Sequence, residues 1–342
     1  MTPTKDKKSL TIFIVDDSEA NLLVARDALK GHYRVMTMIS AAKLFELIKK
    51  IKPALILLDI EMPEMNGFEV MEKLKATPKY RDIPLVFLTG NSDPATEAKG
   101  FELGATDFVT KPFSAPVLLN RIKHILHIEQ IIEERTQEVR NMQDTLILTL
   151  AIMVESRDNA TGGHVERTGR YMKLLLGKLI AANVYKEEIL ALGVENLVTG
   201  SLLHDVGKIS VSDVILNKPG RLDNEEFESM QAHCLEGERI IEQITSGATD
   251  KTFLECAKIL AATHHEKWDG TGYPHGLAGE DIPIAGRIMA VVDVYDAITS
   301  DRSYKVAVPH EEAAGMILEM AGKHFDPQIA QVFYDNRALF AG

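Results

Sequence analysis

Ser201-Leu202-Leu203-His204-Asp205-Val206-Gly207-Lys208 is the stretch on which the reading of this chain turns. An apolar run delivers a histidine, an aspartate and, one helical turn on, a lysine. Read as one α-helix, it sets His204 and Lys208 four residues apart on one face. Asp205 lets the same short segment offer nitrogen and oxygen ligands to one point. A carboxylate has two oxygens and can bridge two cations, which an imidazole cannot, so Asp205 is the natural centre of a two-metal site. A His-Asp pair alone is commonplace; the surrounding chain decides what it means.

From about residue 146 to the end, apolar periodicity is helical, with candidate helices at 165–180, 189–203, 224–244, 253–265, 287–300 and 311–319. Gly-rich loops interrupt them at Thr161-Gly162-Gly163 and at 269–279. An all-α domain is expected. His164 follows the Gly162-Gly163 turn and opens a helix, and His233 precedes Cys234-Leu235-Glu236-Gly237. His264 and His265 stand together at a helix end, before Trp268-Asp269-Gly270-Thr271-Gly272-Tyr273-Pro274. Asp293 lies inside the apolar run 288–294, where an ionised carboxylate needs compensation. Imidazole and carboxylate donors suit Fe, Mn, Zn or Ni, and no Cys cluster suggests a structural zinc. The two cysteines, Cys234 and Cys256, read as free buried thiols.

The other half alternates short apolar runs (10–15, 33–38, 54–60, 84–89, 106–109) with amphipathic ones (21–29, 41–49, 68–75, 96–103). Strands and helices in alternation imply a doubly wound parallel sheet covered on both faces. Asp16 and Asp17 follow the first strand, Asp59 lies near the end of the third, Thr89 ends the fourth, and Lys111 follows the fifth just before Pro112. Functional residues of such sheets gather where strands end. Converging carboxylates repel one another unless a hard cation such as Mg²⁺ joins them. Thr89 and Lys111 would then meet an anion opposite the metal.

Between the halves, residues 114–153 lack Gly and hold one early proline, Pro116. Ile125, Ile128, Ile132, Val139, Met142, Leu146 and Met153 follow a 3,4 spacing, interrupted by Arg135 and Thr149. A long helix is expected, with an imperfect heptad seam suited to joining the domains and to parallel homodimerisation.

The chain has 342 residues, enough for two domains, with 45% hydrophobic and 26% charged residues. That composition describes a soluble globular protein. No apolar run approaches the ~18 residues of a membrane span, and the polar start lacks a signal-peptide pattern, so the cytoplasm is the expected compartment. A net charge of −12 argues against binding a nucleic-acid polymer.

The first half resembles a response-regulator receiver domain over residues 9–125: an acidic pair, a central aspartate, a hydroxyl residue and a lysine before proline. The resemblance implies that Asp16 and Asp17 hold Mg²⁺ and that Asp59 is the phosphoacceptor. It makes Thr89 and Lys111 the phosphoryl contacts, Phe108 the aromatic switch and a sensor histidine kinase the phosphodonor. Lys111-Pro112 is expected to be a cis peptide. Residues 126–145 would be the connecting helix.

The region 146–342 resembles the HD-GYP family of cyclic dinucleotide phosphodiesterases. The matching segments are Arg157-Asp158…Thr161-Gly162-Gly163-His164…Arg167, His204-Asp205-Val206-Gly207-Lys208, His233…Gly237, His264-His265-Glu266…Asp269-Gly270-Thr271-Gly272-Tyr273-Pro274, and Asp293…Asp296-Ala297…Thr299-Ser300-Asp301-Arg302…Tyr304-Lys305. The resemblance implies two divalent transition metals, Fe or Mn before Ni or Zn. One would take His164, His204, Asp205 and Asp293; the other would share Asp205 with His233, His264 and His265. A water between the metals would attack phosphorus in line. Lys208, Tyr273, Arg302 and Lys305 would contact substrate. Ala160 stands where some members carry a glutamate that supports a third metal, so two ions are expected. The implied reaction hydrolyses cyclic di-GMP to linear pGpG, in some members onward to GMP. The rivals are cyclic GMP-AMP as substrate, or a sensor that binds a cyclic dinucleotide without cleaving it.

Overall fold

The computed structural model describes residues 10–90, 94–158, 163–245, 252–300 and 307–341. The chain divides into two compact units, Met1–Glu138 and Val139–Gly342.

The first unit is a five-stranded parallel sheet of order β2-β1-β3-β4-β5. Its strands are β1 (Thr11–Val15), β2 (Arg34–Met38), β3 (Leu55–Asp59), β4 (Leu85–Thr89) and β5 (Asp107–Thr110). Helices α1 (Glu19–Leu29), α2 (Ala41–Leu47), α3 (Gly67–Ala76) and α4 (Pro94–Glu102) alternate with them. Strands β1, β3 and β4 are buried at every position, which is why they read as continuous apolar runs. Two apolar clusters cover the two faces, one around Phe13, Leu58 and Phe87, the other around Ile14, Leu57 and Leu88. The strand order reverses between β1 and β3, where Val15 pairs with Leu58, so the next residues, Asp16 and Asp59, emerge side by side.

The expected long helix is α5, one element running Ala115–Glu155. Leu118, Ile122 and Ile125 belong to the sheet's core, so Ile125 leaves the proposed seam, whereas Ile128, Ile132, Val139, Met142, Leu146 and Met153 are exposed.

The second unit is helical: α6 (His164–Ala181), α7 (Lys186–Leu192), α8 (Val194–Ser201), α9 (Asp213–Leu216), α10 (Asn224–Thr245), α11 (Thr252–Thr263), α12 (Ile284–Thr299), α13 (His310–Glu319) and α14 (Pro327–Asp335). Its core gathers Met172, Leu175, Leu176 and Leu179 from α6 with Ile288, Met289, Val292 and Tyr295 from α12. The single helix expected over 189–203 is two, because Gly193 takes φ 85°, a left-handed value that ends α7 before α8 begins. Helix α14 was not foreseen, although Asp326 capping Gln328 and Ile329 ahead of Pro327 is a helix-start signal.

The 201–208 stretch also departs from expectation. It is not one α-helix: α8 ends at Ser201, and Val206–Ser210 is a 3-10 turn. A Cβ on Gly207 would lie 1.9 Å from the His233 carbonyl oxygen and 2.5 Å from the Gly237 nitrogen, so only glycine lets this turn press on α10. With three residues per turn, Asp205 rather than His204 stands above Lys208.

Candidate active site

In the sheet unit, Asp16, Asp17 and Asp59 place carboxylate oxygens within 4.8 Å of one another. The Lys111 ammonium lies 2.6 Å from Asp16 Oδ2 and 2.7 Å from Asp59 Oδ1. Burial pushes the Asp59 carboxyl up, and the Asp16 charge adds to it against the Lys111 bond. Burial also works against the Lys111 charge, but the two carboxylates outweigh it and hold the ammonium above its ordinary range. Thr89 ends β4 and is buried. Lys111-Pro112 is cis. Phe108 is turned inward, its ring 4.9 Å from that of Phe101 and 5.4 Å from that of Phe87. Carboxylates at this spacing fit a hard cation, and Lys111 already supplies one positive charge there.

In the helical unit, Asp205 sits between two groups of imidazoles. Its Oδ1 is 3.4 Å from His233 Nε2 and 3.7 Å from His264 Nε2. Its Oδ2 is 3.5 Å from His204 Nε2 and 2.7 Å from Lys208 Nζ. On that second side His164 Nε2 lies 3.4 Å from His204 Nε2 and 3.6 Å from Asp293 Oδ1. His265 completes the first side, beside His233, Cys234 and His264.

Backbone carbonyls fix the ring orientations. His204 Nδ1 lies 2.7 Å from the Ser201 carbonyl, His233 Nδ1 2.6 Å from that of Met230, and His264 Nδ1 3.0 Å from that of Leu260. A carbonyl only accepts, so each Nδ1 must donate, which leaves each Nε2 lone pair facing the centre. His164 Nδ1 donates instead to Asp296 Oδ2 at 2.7 Å. Asp296 is buried and also accepts from Arg167 Nε at 2.6 Å, while Glu155 accepts from the His164 backbone N–H at 2.9 Å.

The electrostatics follow from burial against charge. Burial lowers His204 and His233 to about 4 despite nearby Asp205. Burial, aided by the neighbouring His264 and His233 rings, which disfavour a further positive charge, holds His265 well below its ordinary value. Burial also works to lower His164, but the Asp296 bond and the Asp293, Asp205 and Asp296 charges outweigh it and hold the ring above its ordinary value. Asp205 stays ionised because Lys208 and the histidines overcome its burial, and Lys208 is held charged by Asp205 and Asp158. Burial pushes the Cys234 thiol up, as it does the Tyr273 hydroxyl.

Two features fit a cation. Asp205 Oδ1 is buried yet accepts no hydrogen bond. His233 and His264 turn acceptor nitrogens toward each other at 3.3 Å, an opposition that a positive ion resolves. The donors, imidazole and carboxylate, suit first-row transition metals. A cleft of about 280 Å³ opens on the second side, lined by Glu155, Asp158, His164, Asp205, Lys208 and Asp293.

Tyr273 stacks near His265, ring centres 4.8 Å apart, and Glu266 holds its loop by accepting from the His275 and Leu277 amides. Arg302, Lys305 and Ala160 lie outside the described residues. Arg157 bonds the carbonyls of Lys208, Ile209 and Val211, locking the end of α5 to the 3-10 turn.

The family profile described as an HD domain matches residues 149–329, more than half of the chain, and the response-regulator receiver profile matches residues 12–123. The chain is a response regulator of the HD-domain family. A probable cyclic di-GMP phosphodiesterase of Vibrio cholerae is 40% identical over 96% of this chain and 78% of its own length. The cyclic di-GMP phosphodiesterase response regulator RpfG of Xanthomonas campestris is 33% identical over 83% of this chain and 75% of its own. A cyclic di-GMP phosphodiesterase of Thermotoga maritima is 33% identical over 95% and 89%. Among the described residues no single helix is long and apolar enough to cross a membrane.

Within this HD-domain site, the sequence reading passed over Asp296 and Glu155 as partners of His164. Asp296 had a signal: one turn beyond Asp293 on α12, it is a second carboxylate in an apolar helix. Glu155 had none, since its partner stands across residues 156–163 and only the fold brings them together.

Proposed function

We propose that the chain is a phosphorylation-controlled, metal-dependent phosphodiesterase that opens cyclic di-GMP to linear pGpG. The observation that carries this reading is Asp205, one oxygen toward His233 and His264 and the other toward His204 and Lys208. Asp205 is thus the bridge between a His164–His204–Asp293 site and a His233–His264–His265 site. Two divalent cations bound there supply positive charge to a phosphodiester and lower the pKa of water. The chain's part is to hold the Nε2 atoms and carboxylates in place before substrate arrives, through the carbonyl and Asp296 bonds at Nδ1. Lys208 adds a fixed charge at the cleft wall, and Tyr273, Arg302 and Lys305 are assigned to substrate. The cleft brings His164, Asp205, Lys208 and Asp293 to one opening that a phosphodiester group can enter.

Domains are assigned as receiver 9–125, connector 126–145 and phosphodiesterase 146–342. Asp59 is the phosphoacceptor, Asp16 and Asp17 the Mg²⁺ ligands, and a histidine kinase the phosphodonor. The physical route for control is α5, whose Ile122 belongs to the sheet's core and whose Glu155 holds the His164 backbone. The exposed apolar residues from Ile128 to Met153 favour parallel pairing of two copies. The chain is assigned to the cytoplasm, where its phosphodonor and substrate meet.

The substrate test is product analysis of anaerobically purified, metal-analysed protein with cyclic di-GMP and cyclic GMP-AMP. Turnover of the first to pGpG is expected, lost together with metal in Asp205→Ala. The alternative has one support: a 3'3'-cGAMP-specific phosphodiesterase of Vibrio cholerae is 38% identical over 58% of this chain and 36% of its own length. Preferential cleavage of cyclic GMP-AMP would move the assignment there. A fully metallated protein that binds but cleaves neither would be a sensor.

A further inference from the structure

We propose that Cys234 is a ligand of the His233–His264–His265 site, making that half of the centre a sulfur-containing site that prefers zinc-like ions. The inference rests on the two-metal reading but adds a donor to it. Cys234 follows His233 on α10 and is fully buried. Neighbours on a helix point about 100° apart and seldom meet at one point. Here the His233 ring folds back along α10 to bond the Met230 carbonyl, which brings its Nε2 to 3.5 Å from Cys234 Sγ. The sulfur and one nitrogen from each of His233, His264 and His265 all lie within 4.8 Å of one another.

The spacing can be checked against coordination chemistry. Zinc bonds of about 2.3 Å to sulfur and about 2.1 Å to nitrogen, at angles of about 105°, put N and S about 3.5 Å apart and two N about 3.3 Å apart, and a five-coordinate ion keeps a position for the bridging Asp205. The structure has 3.5 Å for His233 Nε2 to Cys234 Sγ and 3.3 Å for His233 Nε2 to His264 Nε2. The buried Asp205 Oδ1, which accepts no hydrogen bond, faces the same His233 and His264 nitrogens. Three imidazoles, one carboxylate oxygen and one thiol, five side chains in all, therefore surround one small volume. On binding, the thiol proton leaves to solvent and the thiolate joins the ion. A thiolate is a soft donor that favours zinc-like ions over Mn²⁺. The other half, with His164, His204 and Asp293, offers only nitrogen and oxygen, so the two halves would prefer unlike ions. The competing reading is a thiol that merely donates S–H to His233 Nε2.

Titration of the metal-free full chain with Co²⁺, followed by absorption, separates the two. Wild type and C256S should both develop a sulfur-to-cobalt charge-transfer band in the near ultraviolet. C234S and C234A should lose that band but keep the visible ligand-field bands, with unchanged far-ultraviolet circular dichroism. The preference for Zn²⁺ over Mn²⁺ should fall at least about tenfold in both. Co²⁺ binding to wild type without the charge-transfer band removes Cys234 from the site and leaves the two-metal reading standing. Persistence of the band in C234S overturns the proposal equally. Failure of the chain to bind Co²⁺ at all overturns both.

Discussion

Replacing Asp296 by Asn keeps shape and size but leaves one acceptor oxygen where two are used. In the native chain Oδ2 is 2.7 Å from His164 Nδ1 and 3.0 Å from Arg167 Nη2, while Oδ1 is 2.6 Å from Arg167 Nε. The single amide oxygen stays with the charged Arg167 fork, the stronger donor. The amide NH₂ then faces His164 Nδ1, which must accept, so the ring's proton moves to Nε2. That removes the lone pair aimed at the centre. Losing such an outer partner of a ligand histidine typically costs 10–100-fold in metal affinity, or about 1.4–2.7 kcal/mol at about 1.36 kcal/mol per tenfold. The assay is titration with a first-row metal against a competing chelator, read beside turnover. The expected loss falls on the ion held by His164, His204 and Asp293, with the His233 side still filling. Wild-type affinity at both halves, together with wild-type rate, would refute the reasoning and leave Asp296 as packing between α6 and α12.

Gly207→Ala should destabilise the helical unit by on the order of 3 kcal/mol or more, since its Cβ meets backbone on α10; denaturant midpoints measure it, and a loss under about 1 kcal/mol would contradict the close approach. Metal-free protein should lose stability as pH falls from about 6.5 toward 4. His204 and His233 have folded values near 4, so below 6.5 the unfolded chain binds more protons. His164, raised in the fold, opposes this in part, and a melting temperature that is flat or rises on acidification would show the opposite balance. The phosphate mimic beryllofluoride should change phosphodiesterase rate or dimer affinity, because the Asp59 carboxylate that Lys111 now holds would carry the mimic; Asp59→Asn should abolish the response. Identical rate and assembly at proven occupancy would uncouple the two units.

What was legible in the sequence is what local chemistry imposes. Buried parallel strands must be apolar throughout, so β1, β3 and β4 announced themselves, and acids at the ends of β1 and β3 marked the sheet edge. Candidate donors were also visible: a His-Asp pair alone is commonplace, but His204-Asp205 and His264-His265 stood out beside His164, His233 and Asp293 in one helical half. Residue spacing could not say which atoms meet. It put His204 over Lys208, whereas the approach of α10 at Gly207 tightens the turn and puts Asp205 there, 2.7 Å from the ammonium. Nor could it assign the partners that aim each ring: the Ser201, Met230 and Leu260 carbonyls are backbone, identical at every residue, and Glu155 and Asp296 reach His164 only after folding. Cys234 read as a free buried thiol because sequence reports burial through composition alone. Its place among three imidazoles depends on how α10 and α11 pack, which only the tertiary structure decides.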